Sequence, residues 1–252
     1  MKSVFIIENP ENPAPPPDAL AQVPVAGIVR FSTLDYPGKL AAVLFTQGCP
    51  WRCAYCHNTH LQPLTGGKTI SPEALRLFLR NRRGLLDAVV ISGGEPTLHP
   101  GLAAFSKAIA GLGFAVGLHT NGMNPERLRT LLPLCRWVGM DVKAPRPRYK
   151  AVTAAEAFEK VERSAGLLIT SPVDYELRMT YHPSLLTERE VLETAEHFSR
   201  MGAKRFVLQV FRKRGCPDET LCFKSPSPSG DLSRALLEKL TGLFSDFAVR
   251  EG

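Results

Sequence analysis

The stretch TQGCPWRCAYCHN, residues 46–58, decides the fold and places Cys49, Cys53 and Cys56 in the spacing Cys-x3-Cys-x2-Cys. Half of the six cysteines of the chain lie in this stretch. The preceding residues Leu40–Phe45 form a short apolar run that is typical of a buried strand. A glycine and a proline among the cysteines oppose a helix. The cysteines are therefore predicted to lie on a loop that leaves the C-terminal end of a strand.

Three closely spaced thiols indicate a metal site with a vacant ligand position. Thiolates bind zinc and iron–sulfur clusters, and a purely structural site usually has four protein ligands. A catalytic metal site, in contrast, keeps one position open. A [4Fe–4S] cluster held by only three cysteines leaves one iron free to bind another molecule.

The same residues allow three other interpretations. Residues 53–57 (CAYCH) match the pattern of c-type haem attachment, but that attachment follows export, and the sequence shows no export signal. His57 or His60 can complete a tetrahedral zinc site with the three sulfurs. Three unligated buried thiols fit less well, because the neighbouring arginine, histidine and asparagine are poor core residues.

The composition is that of a soluble globular protein. The 252 residues are enough to bury a substantial core, and the hydrophobic and charged fractions, 44% and 22%, are ordinary. No apolar run approaches membrane-spanning length, and Val4–Ile7 is too short for the hydrophobic region of a signal peptide. The sequence therefore predicts a cytoplasmic protein without a membrane partner, whose cysteines are ligands or free thiols and not disulfides.

The net charge of +7 is able to attract nucleic acid or an acidic partner. The basic clusters are short, however, and no aromatic residues interleave them; they lie at residues 80–83, 146–150 and 212–214. Solvated faces explain most of this charge. The sequence therefore predicts no specific nucleic-acid binding.

The chain divides into three predicted parts. Residues 1–24 form a proline-rich N-terminal tail, because six prolines between residues 8 and 24 favour extended backbone. Val4–Ile7 is at most an added edge strand. Residues 25–212 form the core domain, and residues 213–252 form a C-terminal loop and helix.

Strand patterns alternate with helix patterns along the core. A turn at Asp35–Gly38 predicts a hairpin before the cysteine loop. Alternation of strands and helices implies a parallel sheet with right-handed crossovers, as in an α/β barrel or a flavodoxin-like open sheet. The predicted strands are 40–45, 87–92, 114–118, 137–140, 175–180 and 205–210, and the predicted helices are 72–83, 100–112, one from 125, 154–168, 188–201 and 232–244.

Polar residues follow the C-terminal end of every predicted parallel strand. They are Thr46–Gly48, Gly93–Pro96, His119–Gly122, Asp141–Lys143, Thr180–His182 and Gln209–Arg212. Parallel α/β folds build their sites at this edge. We therefore expect these groups to converge on the cysteine loop.

The cysteine spacing, with Tyr55 before the last cysteine, resembles the signature of the radical S-adenosylmethionine (SAM) enzymes. Gly93-Gly94-Glu95-Pro96 resembles the GGEP motif of that family. The resemblance implies a partial (β/α)6 barrel. It also implies a [4Fe–4S] cluster on Cys49, Cys53 and Cys56, whose open iron binds the amino and carboxylate groups of SAM.

Further SAM contacts are implied by the resemblance. The GGEP loop binds the methionine amino group, and Tyr55 packs near the adenine. Asp141-x-Lys143 resembles the DxK motif of glycyl-radical activating enzymes, in which the lysine meets the SAM carboxylate and the aspartate orders the site. Lys143 thereby joins the three cysteines as a catalytic group. Without the resemblance, the GGEP residues also fit a plain turn, and Tyr55 fits simple loop packing. Asp141 and Lys143 also fit a surface ion pair.

Four other residues are candidate SAM contacts. Arg178 lies inside an apolar strand, where an unpaired charge is costly, so an anionic partner is expected. That partner is the SAM carboxylate, a peptide of a partner protein, or a structural aspartate or glutamate. Thr120, Asn121 and Gln209 are candidate contacts to the ribose.

Some polar residues have no predicted role. Formate-lyase-type activating enzymes carry an aspartate where His119 stands and a histidine near Arg212, so the resemblance assigns neither residue a function. Cys135 ends an apolar helix and is a predicted core residue. Cys216 and Cys222 are predicted free thiols, because no further ligands for a second metal site are identifiable.

Residues 27–58, together with GGEP, HTNG and DVK, closely resemble the activating proteins of anaerobic ribonucleoside-triphosphate reductase. The resemblance covers about residues 25–209. It implies an enzyme that cleaves SAM to methionine and a 5'-deoxyadenosyl radical, which takes hydrogen from a glycine of the large reductase subunit. It also implies an electron donor of flavodoxin or ferredoxin type. The alternatives are the same chemistry on another glycyl-radical enzyme or a small molecule, and a zinc-stabilised binding module.

Overall fold

The computed structural model describes residues 18–224 and 231–250. These residues form a single sheet of eight strands, and each strand pairs with its neighbours in sequence order. The strands are β1 Val25–Ser32, β2 Ala41–Thr46, β3 Ala88–Gly93, β4 Ala115–Thr120, β5 Trp137–Asp141, β6 Asp174–Tyr181, β7 Arg205–Val210 and β8 Asp246–Arg250. The predicted edge strand Val4–Ile7 and most of the proline-rich tail lie outside the described residues.

Eight α-helices occur in the described ranges, mostly between the parallel strands. They are α1 Pro72–Arg80, α2 Leu102–Gly111, α3 Pro125–Leu131, α4 Tyr149–Thr153, α5 Phe158–Ile169, α6 Glu188–Arg200, α7 Glu219–Phe223 and α8 Arg234–Leu243. No helix in this part of the chain is long and apolar enough to span a bilayer.

Strands β2 to β8 run parallel, and β1 is antiparallel to β2. The turn at Asp35–Gly38 connects β1 and β2, with the Lys39 amide donating to the Tyr36 carbonyl at 3.1 Å. The predicted hairpin is therefore confirmed. Within the described ranges β1 and β8 are not paired with each other, so the sheet stays open. This confirms the α/β fold expected for a partial barrel.

The central strands are buried because both of their faces are covered. Ala41–Leu44 of β2 and Ala88–Ile91 of β3 are completely inaccessible to solvent. Near-continuous apolar runs of this kind are typical of parallel strands with helices on the outside. Burial of these two strands holds the loops at their C-terminal ends in place.

The helix starts follow from capping side chains. The Ser71 hydroxyl accepts from the Ala74 amide and precedes Pro72 at the first position of α1. Thr187 and Glu190 form a complete capping box at the start of α6. Each cap satisfies backbone donors that have no partner within the helix. The predicted starts of these two helices are confirmed.

The predicted helix 154–168 is displaced. It begins at Phe158, and a short helix, α4, precedes it. Ala154 separates the two, because its φ of 57° is left-handed and ends α4. Alanine carries no sequence signal for this conformation, which glycine or asparagine usually adopts.

The two outer parts of the predicted domain division also contain ordered elements. Ala19–Gln22, inside the predicted tail, is a 3-10 helix, and Leu20 and Val23 are buried in the core. The segment 213–252, predicted as a loop and a helix, additionally contributes α7 and the strand β8, which extends the sheet beyond β7. The proposed core therefore has neighbours on both sides that pack with it.

Candidate active site

The polar strand ends meet in one cavity of about 620 Å³. Every predicted site residue except Pro96 lines it: Cys49, Cys53, Tyr55, Cys56, Gly93, Gly94, Glu95, Thr120, Asn121, Asp141, Lys143, Arg178 and Gln209. Pro96 is buried behind the cavity, where it begins the 3-10 helix Pro96–Leu98. The structure thus brings together residues from six strand ends.

The cysteine loop is held by backbone hydrogen bonds from both sides. The amides of Arg52 and Ala54 donate to the last carbonyls of α4, those of Thr153 and Val152, at 3.1 and 3.0 Å. On the other side, the Cys49 amide donates to a carbonyl of the segment that follows the loop, at 3.1 Å. The short helix α4, which sequence reasoning missed, therefore fixes the position of the thiols.

The three thiols line the same cavity and offer the sulfur ligands that an iron–sulfur cluster takes. Burial raises the pKa of Cys49 to about 11 and also raises the pKa of Cys53, so a cation is needed to stabilise their thiolates.

Of the two histidines predicted as possible zinc ligands, His60 is exposed and His57 has other contacts. The His57 ring stacks on Phe211, with 5.6 Å between the ring centroids. Its Nε2 forms a 2.9 Å hydrogen bond with the Arg212 carbonyl. His57 therefore supports the wall of the cavity by packing and hydrogen bonding.

Two tyrosine hydroxyls are buried beside the cysteine loop. The hydroxyls of Tyr55 and Tyr149 have no hydrogen-bond partner among the described residues. The Lys143 ammonium lies 5.4 Å from the centroid of the Tyr55 ring. Buried polar groups normally have partners, and a cluster with its sulfurs would offer acceptors here. The donor set and these hydroxyls together fit a [4Fe–4S] cluster.

The GGEP loop lies directly against the cysteine loop. A Cβ atom at Gly94 would lie 2.3 Å from the Gly48 carbonyl oxygen, and one at Gly93 would lie 2.2 Å from the Thr46 amide nitrogen. Gly93 also has a φ of +121°. The Glu95 amide donates to the Gly48 carbonyl at 2.9 Å. The two glycines therefore permit a close contact between two backbone segments, which positions both loops.

Gly94→Ala should destabilise the fold by about 1–3 kcal/mol, because the added methyl group overlaps a backbone carbonyl. SAM binding should weaken in parallel. Gly111→Ala is the matched control, since no atom lies within 4 Å of its added methyl group. That change in α2 should be neutral or stabilising by up to about 1 kcal/mol. Urea unfolding checks both values, and equal stability of the two variants would contradict the steric argument.

The Glu95 carboxylate connects the GGEP loop to the loop after β4. One of its oxygens accepts from the Thr97 amide at 3.0 Å, the Thr97 hydroxyl at 2.5 Å and the Thr120 hydroxyl at 2.7 Å. The other accepts from the Asn121 amide at 2.7 Å. The Glu95 carboxylate therefore accepts its hydrogen bonds from the chain itself, and one of the donors is the Thr120 hydroxyl.

Asp141 lies between two buried cations. Its carboxylate accepts from Arg178 Nε at 2.9 Å and from Lys143 Nζ at 3.1 Å. Of the anionic partners expected for Arg178, the structural aspartate is the one observed. Burial opposes the charge of Asp141, but Arg178 and Lys143 outweigh it and lower its pKa to about 2. Together with Arg178, the DxK pair is thus a group of three charges at the edge of the cavity, in which the two cations are buried and the Asp141 side chain is 28% exposed.

The charge group predicts a measurable acid sensitivity. The folded pKa of Asp141, about 2, lies below its usual value of 3.8. The unfolded chain therefore takes up the proton first as the pH falls, and the stabilisation present above about pH 4 is lost towards pH 2. Wild type should lose about 2 kcal/mol more than Asp141→Asn across this window. Urea unfolding at several pH values measures this difference, and a constant difference would contradict the assignment.

The neutral His119 also lines the cavity. Its Nε2 donates to the Asp35 carbonyl at 3.1 Å, and its Nδ1 accepts from the Ser92 hydroxyl at 3.2 Å. Burial holds the pKa of His119 well below its usual value. His119 therefore connects the β1–β2 turn to β3 as an uncharged group.

Sequence reasoning did not place Arg250 among the residues of the cavity. Arg250 ends β8 and donates to both carboxylate oxygens of the buried Glu176, at 2.9 and 3.0 Å. A strand after the final helix would have continued the alternation of the fold, and this regularity was the available signal. Because the strand β8 was not predicted, Arg250 at its end was not placed at the edge of the sheet.

The chain is similar in sequence to known enzymes. The model of the radical SAM superfamily matches residues 43–196. A candidate glycyl-radical enzyme activating enzyme of Methanocaldococcus jannaschii is 30% identical over 236 residues, which cover 84% of this chain and 89% of that protein. The pyruvate formate-lyase-activating enzyme of Clostridium pasteurianum is 30% identical over 135 residues, 51% of this chain and 56% of that enzyme.

The solved structure of QueE from Escherichia coli has a similar fold. It superposes with a TM-score of 0.56 at 18% identity and covers 92% of this chain and 95% of its own. This likeness concerns the fold alone, whereas the family match covers more than half of the chain. The chain therefore belongs to the radical SAM superfamily, which implies a [4Fe–4S] cluster and SAM, and it is a homologue of the glycyl-radical enzyme activating enzymes.

Proposed function

We propose that this protein generates a glycyl radical on a partner protein, the large subunit of an anaerobic ribonucleoside-triphosphate reductase. One observation carries the proposal: the similarity to an activating enzyme extends over 84% of this chain, far beyond the cysteine loop. The resemblance of residues 27–58 to the activating proteins of that reductase supports this choice of partner. A cytoplasmic location and an electron donor of flavodoxin or ferredoxin type belong to the same proposal.

The residues of the cavity have different proposed roles. Cys49, Cys53 and Cys56 would hold the cluster by three of its irons. A bound cluster would supply the electron for SAM cleavage, and SAM would supply the 5'-deoxyadenosyl group that takes a hydrogen atom from the partner glycine. Lys143, held by Asp141, offers a cation to the SAM carboxylate.

The remaining SAM contacts are proposed from their positions in the cavity. The backbone of Gly93 and Gly94 faces the methionine amino group, and Tyr55 contacts the adenine. Asn121 and Gln209 contact the ribose. Arg178 donates from Nε to Asp141 and from Nη2 to the Gly139 carbonyl at 3.4 Å, so Nη1 remains for an anionic group at the cavity wall.

The mouth of the cavity favours a macromolecular substrate. Val29, Phe31 and Leu34 of the β1–β2 hairpin are 42%, 58% and 77% exposed, and Val29 and Leu34 also line the cavity. Exposed apolar side chains beside a site are typical of surfaces that bind another protein. A glycine-bearing loop of the reductase would pass this hairpin on its way to the cavity.

The test combines anaerobically reconstituted protein, a reduced flavodoxin, SAM and the large reductase subunit. We expect a glycyl radical on the reductase in the electron paramagnetic resonance spectrum, and no radical with Cys53→Ala. A radical on pyruvate formate-lyase, but none on the reductase, would reassign the partner. SAM cleavage without a radical on either protein would contradict the proposal and favour a small-molecule substrate.

A further inference from the structure

A pair of cysteines lies outside the proposed cluster site. Cys216 and Cys222 follow β7, on the turn before α7 and on α7 itself. Both thiols are free and only partly buried. Neither is among the described residues that line the cavity. The proposed reaction therefore does not use them.

The two thiols are neighbours in space. Cys222 Sγ lies 3.5 Å from the Cys216 carbonyl oxygen and 3.6 Å from that of Lys213. The two thiols also contact each other directly, because a side-chain hydrogen bond joins Cys216 and Cys222. Burial raises the pKa of Cys216, and hydrogen bonding with Cys222 raises it further.

The turn that carries the pair is built for this approach. Gly215 has a φ of +92°, which suits glycine and reverses the chain before Cys216. The Cys216 amide donates to the Lys213 carbonyl at 3.1 Å. The Asp218 side chain accepts from the Leu221 amide at 3.0 Å and begins the helix that presents Cys222. Both cysteines thus lie on short, locally hydrogen-bonded segments.

The pair follows an exposed, positively charged segment. Arg212, Lys213 and Arg214 precede it and attract anionic reactants such as glutathione disulfide. Gly215 also lies beside the cysteine loop, because a Cβ atom there would be 3.7 Å from the His57 ring. The pair is therefore accessible from solvent and lies next to the loop of the proposed cluster.

We propose that Cys216 and Cys222 form a redox-active dithiol that is oxidised to a disulfide by small disulfides such as glutathione disulfide. One thiolate attacks glutathione disulfide and releases the first glutathione as its thiolate. The other thiolate attacks the protein sulfur of the mixed disulfide and releases the second glutathione. Two electrons thereby pass from the cysteines to the glutathione disulfide, and the two protons of the cysteine thiols end on the two glutathiones.

The sequence offers a direct assay. Trypsin cleaves after Arg214 and Lys224, so peptide 215–224 contains both cysteines. The cysteines of the cluster loop fall on peptides 40–52 and 53–68. Cluster-loaded protein is equilibrated anaerobically with glutathione buffers of increasing disulfide content, alkylated after denaturation, digested and analysed by mass spectrometry.

Peptide 215–224 should change from the doubly alkylated form to the unalkylated internal disulfide. The mass of this disulfide is two hydrogens below that of the unalkylated dithiol. Peptide 130–136, which contains the buried Cys135, is the control and should stay alkylated throughout. Cys216→Ser should accumulate a stable glutathione adduct on Cys222, because the second step is then impossible.

Three outcomes would overturn the proposal. The first is a peptide 215–224 that stays doubly alkylated at the highest glutathione disulfide content. The second is independent glutathione adducts on both cysteines without the internal disulfide. The third is a stoichiometric zinc ion that protects both thiols from alkylation under native conditions. None of these results depends on SAM cleavage, so the test is separate from that of the proposed function.

Discussion

Cys49→Ala, Cys53→Ala and Cys56→Ala should each lose SAM cleavage completely, because a cluster with only two protein ligands is not retained in the cavity. The three thiols line the same cavity, and burial raises the pKa of Cys49 and Cys53. Neither thiol would ionise there without a cation. Each variant is reconstituted anaerobically, and its iron content and 5'-deoxyadenosine production are measured.

Cys135→Ala is the matched control for the three variants. Cys135 is buried in the hydrophobic core and does not line the cavity in the described part of the chain. Its loss should cost about 1 kcal/mol of stability while iron content and SAM cleavage remain. Full activity in any of the three loop variants would refute the cluster assignment. Equal loss in Cys135→Ala would attribute the effect to misfolding.

Asp141→Asn should have the second largest effect, because it removes the negative charge between two buried cations. Lys143 and Arg178 would then face each other without a counter-charge. Breaking a buried ion pair costs about 3–5 kcal/mol. A displaced Lys143 should also lower SAM cleavage by about 100-fold, since misplacement by about 1 Å costs that much in an active site.

Asp246→Asn is the control for the loss of an aspartate charge. Asp246 pairs with Arg205 at 3.2 Å, but its side chain is 52% exposed. Exposed ion pairs contribute about 0–1 kcal/mol, so stability and activity should remain near those of wild type. Urea unfolding and 5'-deoxyadenosine production are measured for both variants. Similar values for Asp141→Asn and Asp246→Asn would contradict the role of the buried charge group.

Much of the site could be predicted because its signals are local. The apolar runs that become β2 and β3 are buried strands, and the polar residues directly after them reach the same edge. The helices predicted from residues 72 and 188 begin there, because Ser71 and Thr187 cap them. Once strands and helices alternate, the parallel topology determines that the distant loops converge on the cysteines.

The parts that sequence reasoning missed depend on contacts between distant residues. The strand β8 is short and half-exposed, and its pairing with β7 decides its structure. Ala154 ends α4 in a left-handed conformation that its side chain does not predict. The sequence left three possible anionic partners for Arg178 for the same reason. The observed partner, Asp141, lies on the neighbouring strand.

The GGEP motif also did not reveal which groups its two glycines contact. Two consecutive glycines indicate a close approach but do not identify what approaches. In the structure the approaching groups are the Thr46 and Gly48 backbones, so the motif joins the cysteine loop to the end of β3. A ligand contact by the same loop is compatible with this arrangement and is part of the proposed function.

The most direct test of a cluster with one open iron is the electron paramagnetic resonance spectrum of the anaerobically reconstituted, reduced protein, recorded with and without SAM. We predict the spectrum of a reduced [4Fe–4S] cluster that changes when SAM is added, because SAM would bind the iron that lacks a cysteine. A cluster spectrum that SAM leaves unchanged, or stoichiometric zinc in place of iron, would contradict this account.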